Sequence, residues 1–170
     1  MPKIIENLEP RLLEEAQKQI NENGYSAMTI RSVASACGVG VGTVYNYFES
    51  KDTLVATYML NDWTKCMTII MDSSMVSSEP RPVARCIYEQ LCDYAKRHQS
   101  LFQDPTASSA FAGSFSRYHA LLRQQLAEPL QKFCFDGFHA EFIAEALLTW
   151  TMAKKSFDEI YGVIGKLFCE

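Results

Sequence analysis

The sequence predicts an all-α protein, with a small N-terminal three-helix domain of helix-turn-helix type and a larger C-terminal helical domain. Apolar residues recur at helical spacing along most of the chain, and no segment shows the sustained alternation of a strand. Residues 28–51, MTIRSVASACGVGVGTVYNYFESK, place two short amphipathic helices on either side of a glycine-rich turn. We place the domain boundary near residue 50, which gives domains of residues 1–50 and 51–170.

Three helices are predicted in the N-terminal domain. The first covers about residues 10–23, because a proline suits its first turn and the following glycine suits a left-handed cap. The second begins at the N-cap Thr29 and ends at Gly38. The third covers about residues 41–48.

The C-terminal domain begins with a long helix, capped by Ser50 and reaching about residue 75, that bridges the two domains. Further helices are predicted over about residues 82–98, 115–133, 139–154 and 156–168. Residues 73–82 are predicted to be a loop, and residues 103–114 a loop or a mobile short helix. Pro129 is expected to bend or end its helix.

The bulk composition is typical of a globular protein, with 170 residues of which 48% are hydrophobic and 21% charged. No stretch approaches the roughly 18 apolar residues of a membrane span, and the N-terminus lacks the pattern of a signal peptide. We therefore expect a cytoplasmic protein whose six cysteines are free thiols. A redox switch through one of them remains an alternative.

The charge balance argues against broad, nonspecific binding of nucleic acid. The net charge is −4, and residues 1–55 contain five Lys or Arg against seven Asp or Glu. Any DNA contacts would have to be few and local, with neutral donors acting beside Arg31 and Lys51.

The predicted third helix nevertheless carries a polar face that suits DNA. If Val44 and Phe48 pack inward, Thr43, Asn46 and Tyr47 share the opposite face. Hydroxyl groups donate to phosphate oxygens, and an asparagine amide can reach a phosphate or an adenine edge. The predicted DNA-binding residues are Thr29, Arg31, Val41, Gly42, Thr43, Tyr45, Asn46, Tyr47 and Lys51. A purely structural helical hairpin is the alternative.

The stretch AMTIRSVASACGVGVGTVYNYFESKDTLV resembles the N-terminal domain of TetR-type transcriptional regulators. The matching residues are Gly38, Val39, Gly42, Thr43, Tyr45, Tyr47, Phe48, Ser50, Lys51 and Leu54. The resemblance spans about residues 10–55. It implies a homodimer whose last two helices pack as a four-helix bundle, and a central domain whose small ligand alters DNA affinity.

The chain departs from that family at the start of the third helix. The family often has serine followed by lysine or arginine there, whereas this chain has Gly40 and Val41. Valine cannot pair with phosphate but can touch a thymine methyl group. We therefore expect a shallower salt dependence of DNA binding than in a lysine-rich relative.

The final predicted helices carry more apolar surface than one chain's core requires, which indicates a partner surface. The predicted dimer interface consists of Phe142, Ala146, Trp150, Phe157, Ile160, Tyr161, Ile164 and Phe168. The alternative is that these residues close the chain's own core.

Aromatic and sulfur-containing residues are candidates for a pocket that takes an apolar or aromatic effector. They are Trp63, Met67, Met71, Tyr88, Cys92, Phe102, Phe111, Phe115, Tyr118 and Trp150. The alternative for each is an ordinary place in the core.

The sequence offers no arrangement for catalysis. His98, His119 and His139 lack metal-ligand spacing, and there is no nucleophile elbow, phosphate loop or pair of carboxylates. We expect no enzyme activity, no metal and no cofactor.

The sequence thus predicts a ligand-responsive, DNA-binding regulator that acts as a repressor and is released by a small effector. As a homodimer it would place two recognition helices about 34–36 Å apart on a near-palindromic operator. The alternatives are an activator, or a helical small-molecule binding protein with weak or vestigial DNA binding.

Overall fold

The computed structural model describes residues 7–169, without the side chains of residues 114–116. Its α-helices are α1 (Leu8–Asn23), α2 (Ile30–Ala36), α3 (Val41–Tyr45), α4 (Lys51–Val76), α5 (Pro80–Arg97), α6 (Gln99–Phe102), α7 (Pro105–Phe111), α8 (Phe115–Ala127), α9 (Gly137–Met152) and α10 (Phe157–Ile164). Short 3-10 segments follow α7, α8 and α10, at Ala112–Ser114, Glu128–Phe133 and Gly165–Leu167. Residues 7–169 contain no strand, which confirms the all-α prediction.

The chain divides into two compact units. The N-terminal unit comprises the residues up to Asp62 together with Arg97–Ala112. The second unit comprises Trp63–Lys96 and the residues from Gly113 onward. The compact units therefore do not divide at residue 50, and the functional boundary placed there stays a prediction.

The core of the N-terminal unit is apolar and drawn from all of its helices. Its fully buried side chains include Leu12, Ala16, Ile20, Val33, Val44, Leu54 and Val55. α2 begins at the predicted cap, because the Thr29 hydroxyl accepts a hydrogen bond from the Ser32 N–H and the Ser32 hydroxyl accepts one from the Thr29 N–H. α4 begins at its predicted cap as well, since Ser50 Oγ accepts from the Thr53 N–H. Gly38 has a φ of +72°, a conformation that favours glycine at this turn.

The prediction of a loop over residues 73–82 is wrong. α4 continues to Val76 and α5 begins at Pro80. The end of α4 is held by packing in the second unit: Ser74 is buried and its hydroxyl donates to the Pro129 carbonyl over 2.8 Å. The Lys132 ammonium group donates to the carbonyls of Ser74 and Ser77, which satisfies acceptors that a helix end leaves open.

Residues 105–111 form a helix, α7, where a loop was one expectation. The Asp104 carboxylate accepts hydrogen bonds from the N–H groups of Thr106 and Ala107, over 2.8 and 3.1 Å. Pro105 occupies the first turn, where its missing N–H costs nothing. The other proline prediction is confirmed, because α8 ends at Ala127 and the backbone continues as the 3-10 segment that holds Pro129.

The core of the second unit is formed by residues of α4, α5, α8, α9 and α10 and of the 3-10 segment after α8. Its buried side chains include Ile70, Ile87, Leu126, Leu130, Ile143, Leu147, Phe157, Ile160, Ile164 and Phe168. Trp63 is buried as well, and its indole N–H donates to the Gln125 amide oxygen over 2.7 Å. No helix among the described residues is long and apolar enough to cross a membrane.

α10 begins with the capping box that the sequence predicts. Ser156 Oγ accepts from the Glu159 N–H, and the Glu159 carboxylate accepts from the Ser156 N–H over 2.9 Å. The hydrogen bonds from Ser156, together with the ammonium group of Lys155, lower the pKa of Glu159 to about 2. The carboxylate form of Glu159 is therefore the one that the fold favours.

Glu159→Gln should lower the melting temperature by about 2–4 °C at pH 7, because the capping acceptor loses its charge. Since the folded pKa is depressed, this contribution is present above the ordinary pKa of glutamate and is lost as pH falls toward about 2. The difference between variant and wild type, measured by calorimetry, should shrink over that interval. Glu89→Gln, at an exposed position in α5, is the control. A difference that did not change with pH would contradict the capping role.

Candidate DNA interface

α3 is fixed by its neighbours in the N-terminal unit. Val44 and Phe48 are buried in the core, as predicted from their spacing. The Thr43 N–H donates to the Gly40 carbonyl over 2.9 Å, which starts the helix directly after the turn. One residue of α1 supports the same turn, since Arg11 Nη2 donates to the Cys37 carbonyl over 3.1 Å. The short helix is therefore held rigidly by contacts outside itself.

The outer side of α3 is polar and accessible. We call Gly42, Thr43, Tyr45 and Asn46 the α3 face: Gly42 and Asn46 are exposed, Tyr45 is 52% exposed and Thr43 is half-buried. A Cβ atom added to Gly42 would meet no other atom within 4 Å. The fold itself therefore does not require glycine at this position. A surface without bulk here suits close approach of another molecule.

Other predicted DNA-binding residues differ in accessibility. Arg31 in α2 is exposed, and Val41 is half-buried against the core. Thr29 is exposed but its hydroxyl caps α2. Tyr47 lies beyond the end of α3 and packs partly against the core, with its hydroxyl oxygen buried and without a hydrogen-bond partner among the described residues. The Tyr47 hydroxyl thus reaches a phosphate only if its side chain moves.

Lys51 is engaged within the N-terminal unit. Its ammonium nitrogen lies 3.9 Å from the ring centroid of Tyr25 and donates to the Tyr25 carbonyl oxygen. Burial lowers the pKa of Lys51, against the opposing charges of Asp52 and Asp104. The Tyr25 hydroxyl in turn donates to Asp52. Lys51 therefore stabilises the N-terminal unit. A phosphate bound by Lys51 would contact the same ammonium group that Tyr25 contacts.

Sequence reasoning missed the role of α7 in supporting this site. The Asp104 carboxylate that caps α7 also accepts from the Ser26 N–H over 3.4 Å. The Ser26 hydroxyl donates to Thr106 Oγ1 over 3.0 Å, and the Phe111 ring packs edge-on against Tyr25. The available signal was the Asp-Pro pair, which is typical of a helix start. These contacts fix the connection between α1 and α2.

Sequence reasoning also missed a cluster of charged and aromatic side chains, in which Asp62 contacts the first residues of the segment 97–112. The Asp62 carboxylate accepts from Arg97 Nε over 2.7 Å and lies 3.0 Å from His98 Nε2, while the imidazole of His98 stacks on Tyr58. Burial lowers the pKa of His98. Burial would raise the pKa of Asp62, but Arg97 and His98 bring it below its usual value. The described residues contain no group of three or more potential metal ligands.

Comparison with known proteins agrees with this geometry. Residues 12–58 match the family described as bacterial regulatory proteins, tetR family. Residues 12–58 thus carry the DNA-binding domain of the TetR family, and the family resemblance predicted from the sequence is confirmed for this part of the chain. The family consists of transcription regulators rather than enzymes.

Individual relatives match the chain over part of its length. The HTH-type transcriptional regulator UidR of Escherichia coli K12 is 28% identical over 57 residues, which cover 34% of this chain and 29% of UidR. The uncharacterized HTH-type regulator YhgD of Bacillus subtilis is 31% identical over 99 residues, which cover 55% of this chain and 50% of YhgD. The match thus spans half or less of these relatives.

A solved structure shows the same fold over nearly the whole chain. It is a transcriptional regulator, SCO7518, of Streptomyces coelicolor A3(2), with a TM-score of 0.72 and 14% identity. The match covers 95% of this chain and 98% of that one. At this identity the likeness concerns the fold alone.

The predicted effector residues are divided between the two units. Phe102 and Phe111 belong to the N-terminal unit, and the side chain of Phe115 lies outside the description. Trp63, Met67, Met71, Tyr88, Cys92, Tyr118 and Trp150 belong to the second unit. Trp63 is buried in its core, whereas Tyr118 and Trp150 are about half exposed. An effector pocket stays a prediction.

The predicted dimer residues fall into two groups. Phe157, Ile160, Ile164 and Phe168 are buried in the second unit without any partner, and Tyr161 and Ala146 pack partly against the same core. These α10 side chains therefore contribute to the core of the second unit, and their predicted role in a dimer interface stays a prediction. Phe142 and Trp150 are each 51% exposed on α9. Phe138, which the sequence analysis did not select, is 73% exposed on the same helix.

Proposed function

We propose that this chain is a DNA-binding transcriptional repressor that acts as a homodimer in the cytoplasm and releases its operator when a small apolar or aromatic effector binds. The α3 face carries this proposal. It is polar, uncharged, free of bulk at Gly42 and rigidly supported by Val44 and Phe48. A face of this kind suits insertion of α3 into a major groove.

The roles within the face follow from side-chain chemistry. Asn46 is exposed and can pair with an adenine edge or a phosphate, while Tyr45 and Thr43 donate to phosphate oxygens. Val41 at the start of α3 can contact a thymine methyl group. Arg31 supplies an exposed positive charge beside these groups. Specificity then rests on shape and hydrogen bonding more than on charge.

Dimerisation is proposed through α9. Phe138, Phe142 and Trp150, which we call the α9 stripe, recur at multiples of four residues and so share one side of the helix. Three large aromatic side chains half or more exposed along one helix form the kind of patch that partner surfaces use. A second copy of the chain would cover the stripe with its own, as a two-fold interface requires.

The effector is proposed to bind in the second unit, among aromatic and sulfur-containing side chains such as Met67, Tyr88 and Cys92, which are partly buried there. Its binding would favour one of two arrangements of the dimer and so change operator affinity. The effector class follows from the apolar character of these residues.

The salt dependence of binding tests the proposal. A labelled duplex from the DNA upstream of the gene is titrated with protein at 50–200 mM salt, with fluorescence anisotropy as the readout. Since Arg31 and Lys51 in two copies supply at most four positively charged phosphate contacts, the slope of log affinity against log salt should not exceed about 4 in magnitude. Arg31→Gln should reduce it by about 2.

The alternative function makes a different prediction for the same titration. A small-molecule binding protein with vestigial DNA binding would show no salt-resistant complex with the upstream duplex. A slope steeper than about 6 would mean that many further cations contact the DNA, which contradicts the proposed few, geometric contacts. Lys18→Gln, which removes a positive charge at an exposed position in α1, is the control for Arg31→Gln.

A further inference from the structure

Two of the six cysteines lie beside one hydrogen bond in the second unit. The backbone N–H of Cys169 donates to the carbonyl oxygen of Phe133, with nitrogen and oxygen 2.9 Å apart. Cys134 directly follows Phe133 in the chain. The hydrogen bond therefore holds two cysteine-bearing segments side by side.

Each segment places a buried phenylalanine directly before its cysteine. Phe133 and Phe168 are buried in the core of the second unit. The backbone is extended at Cys134, with φ −115° and ψ 154°, and at Phe168, with φ −78° and ψ 152°. Both thiols are only partly buried, at the edge of the core.

The spacing and the electrostatics agree with two neighbouring thiols. Disulfides join Cα atoms about 4.4–6.8 Å apart. The hydrogen bond brings the backbone of Cys169 to the peptide group that joins Phe133 to Cys134, which places the two cysteines close enough for such a link. Burial, and next the negative charge of a Cys169 thiolate, raise the pKa of Cys134 to about 11. The second effect requires the two sulfur atoms to lie near each other.

We propose that Cys134 and Cys169 are a redox-active pair that closes to an intramolecular disulfide when the protein meets hydrogen peroxide. Because its raised pKa keeps Cys134 protonated, the thiolate of Cys169 attacks the peroxide and becomes a sulfenic acid, which breaks the O–O bond and releases the first water. The Cys134 sulfur then gives up its proton, attacks the sulfenic sulfur, forms the S–S bond and displaces the oxygen as the second water. Two thiols thus lose two electrons and two protons, and one peroxide is reduced to two waters.

The disulfide would have a defined structural consequence. The loop that it closes, residues 134–169, contains all of α9 and α10. Linking the ends of this loop restricts the unfolded chain and so stabilises the folded hairpin. The inference rests on the paired segments alone and does not depend on the proposed DNA-binding function.

The test uses the full chain, reduced and then treated with hydrogen peroxide. The wild type should lose two of its six thiols, yield a peptide pair linked through positions 134 and 169, and melt about 5–15 °C higher. Dithiothreitol should reverse all three changes. Mass spectrometry under non-reducing conditions identifies the linked peptides, and calorimetry gives the melting temperature.

Variants distinguish this pair from the other cysteines. C134S and C169S should each abolish the linked peptide and the rise in melting temperature, and C169A provides a second variant should C169S fold poorly. C86S/C92S removes two other partly buried thiols and should behave as the wild type. A wild type that kept all six thiols, a disulfide at other positions, or a link between two chains would overturn the proposal.

Discussion

Gly42→Glu should lower operator affinity by at least about 100-fold while leaving the fold intact. Gly42 is exposed on the α3 face, and a side chain there meets no other atom of the protein. A carboxylate on a helix that approaches phosphate is repelled, and like charges at an interface cost several kcal/mol. The proposed dimer carries the change twice. Anisotropy titration of the upstream duplex measures the affinity, and calorimetry the stability.

The matched control is Gly113→Glu, which makes the same substitution at another exposed glycine whose added Cβ meets nothing. Its operator affinity should remain within about twofold of the wild type. Because glutamate favours a helix more than glycine does, neither variant should melt more than about 2 °C below the wild type. Equal affinity of the two variants would show that α3 does not face the DNA.

The double variant Phe142→Glu/Trp150→Glu should dissociate the dimer. The α9 stripe is the proposed contact with the second copy, and burying four carboxylates in a two-fold interface without partners is strongly unfavourable. The dimer dissociation constant, measured by analytical ultracentrifugation, should rise by at least about 100-fold. Operator affinity should fall with it, since a monomer contacts a single half-site.

Met75→Glu is the control for this pair. Met75 is also a strongly exposed apolar residue of the second unit, but it lies in α4 and outside the stripe. This variant should dimerise as the wild type does. A stripe variant that stayed dimeric would contradict the proposed contact through α9 and would place the interface elsewhere.

Local signals in the sequence were sufficient for most of the fold. Thr29, Ser50 and Ser156 each cap the helix that they were expected to cap. Each cap joins residues only three positions apart, so both partners of the interaction can be recognised in the local sequence. The Asp104-Pro105 start of α7 carries the same kind of signal and was outweighed by the small, polar composition of its surroundings.

The parts that were missed depend on contacts between distant residues. Lys51 looks like a phosphate anchor in the sequence, yet its ammonium group packs on Tyr25, which lies 26 residues away. Tyr47 was placed on the outer face by helical spacing, but its side chain packs partly against the core of the N-terminal unit and its hydroxyl oxygen is buried. Likewise, periodicity shows that α10 has an apolar face but cannot show which helix covers it.

Footprinting of the upstream DNA is the most direct test of the central claim, that the chain binds DNA through α3 as a dimer. The account predicts two protected half-sites whose centres lie about 34–36 Å apart along the duplex. Gly42→Glu should abolish both protected regions, and Gly113→Glu should retain them. The absence of any protected region, or protection that persists unchanged in Gly42→Glu, would contradict the account.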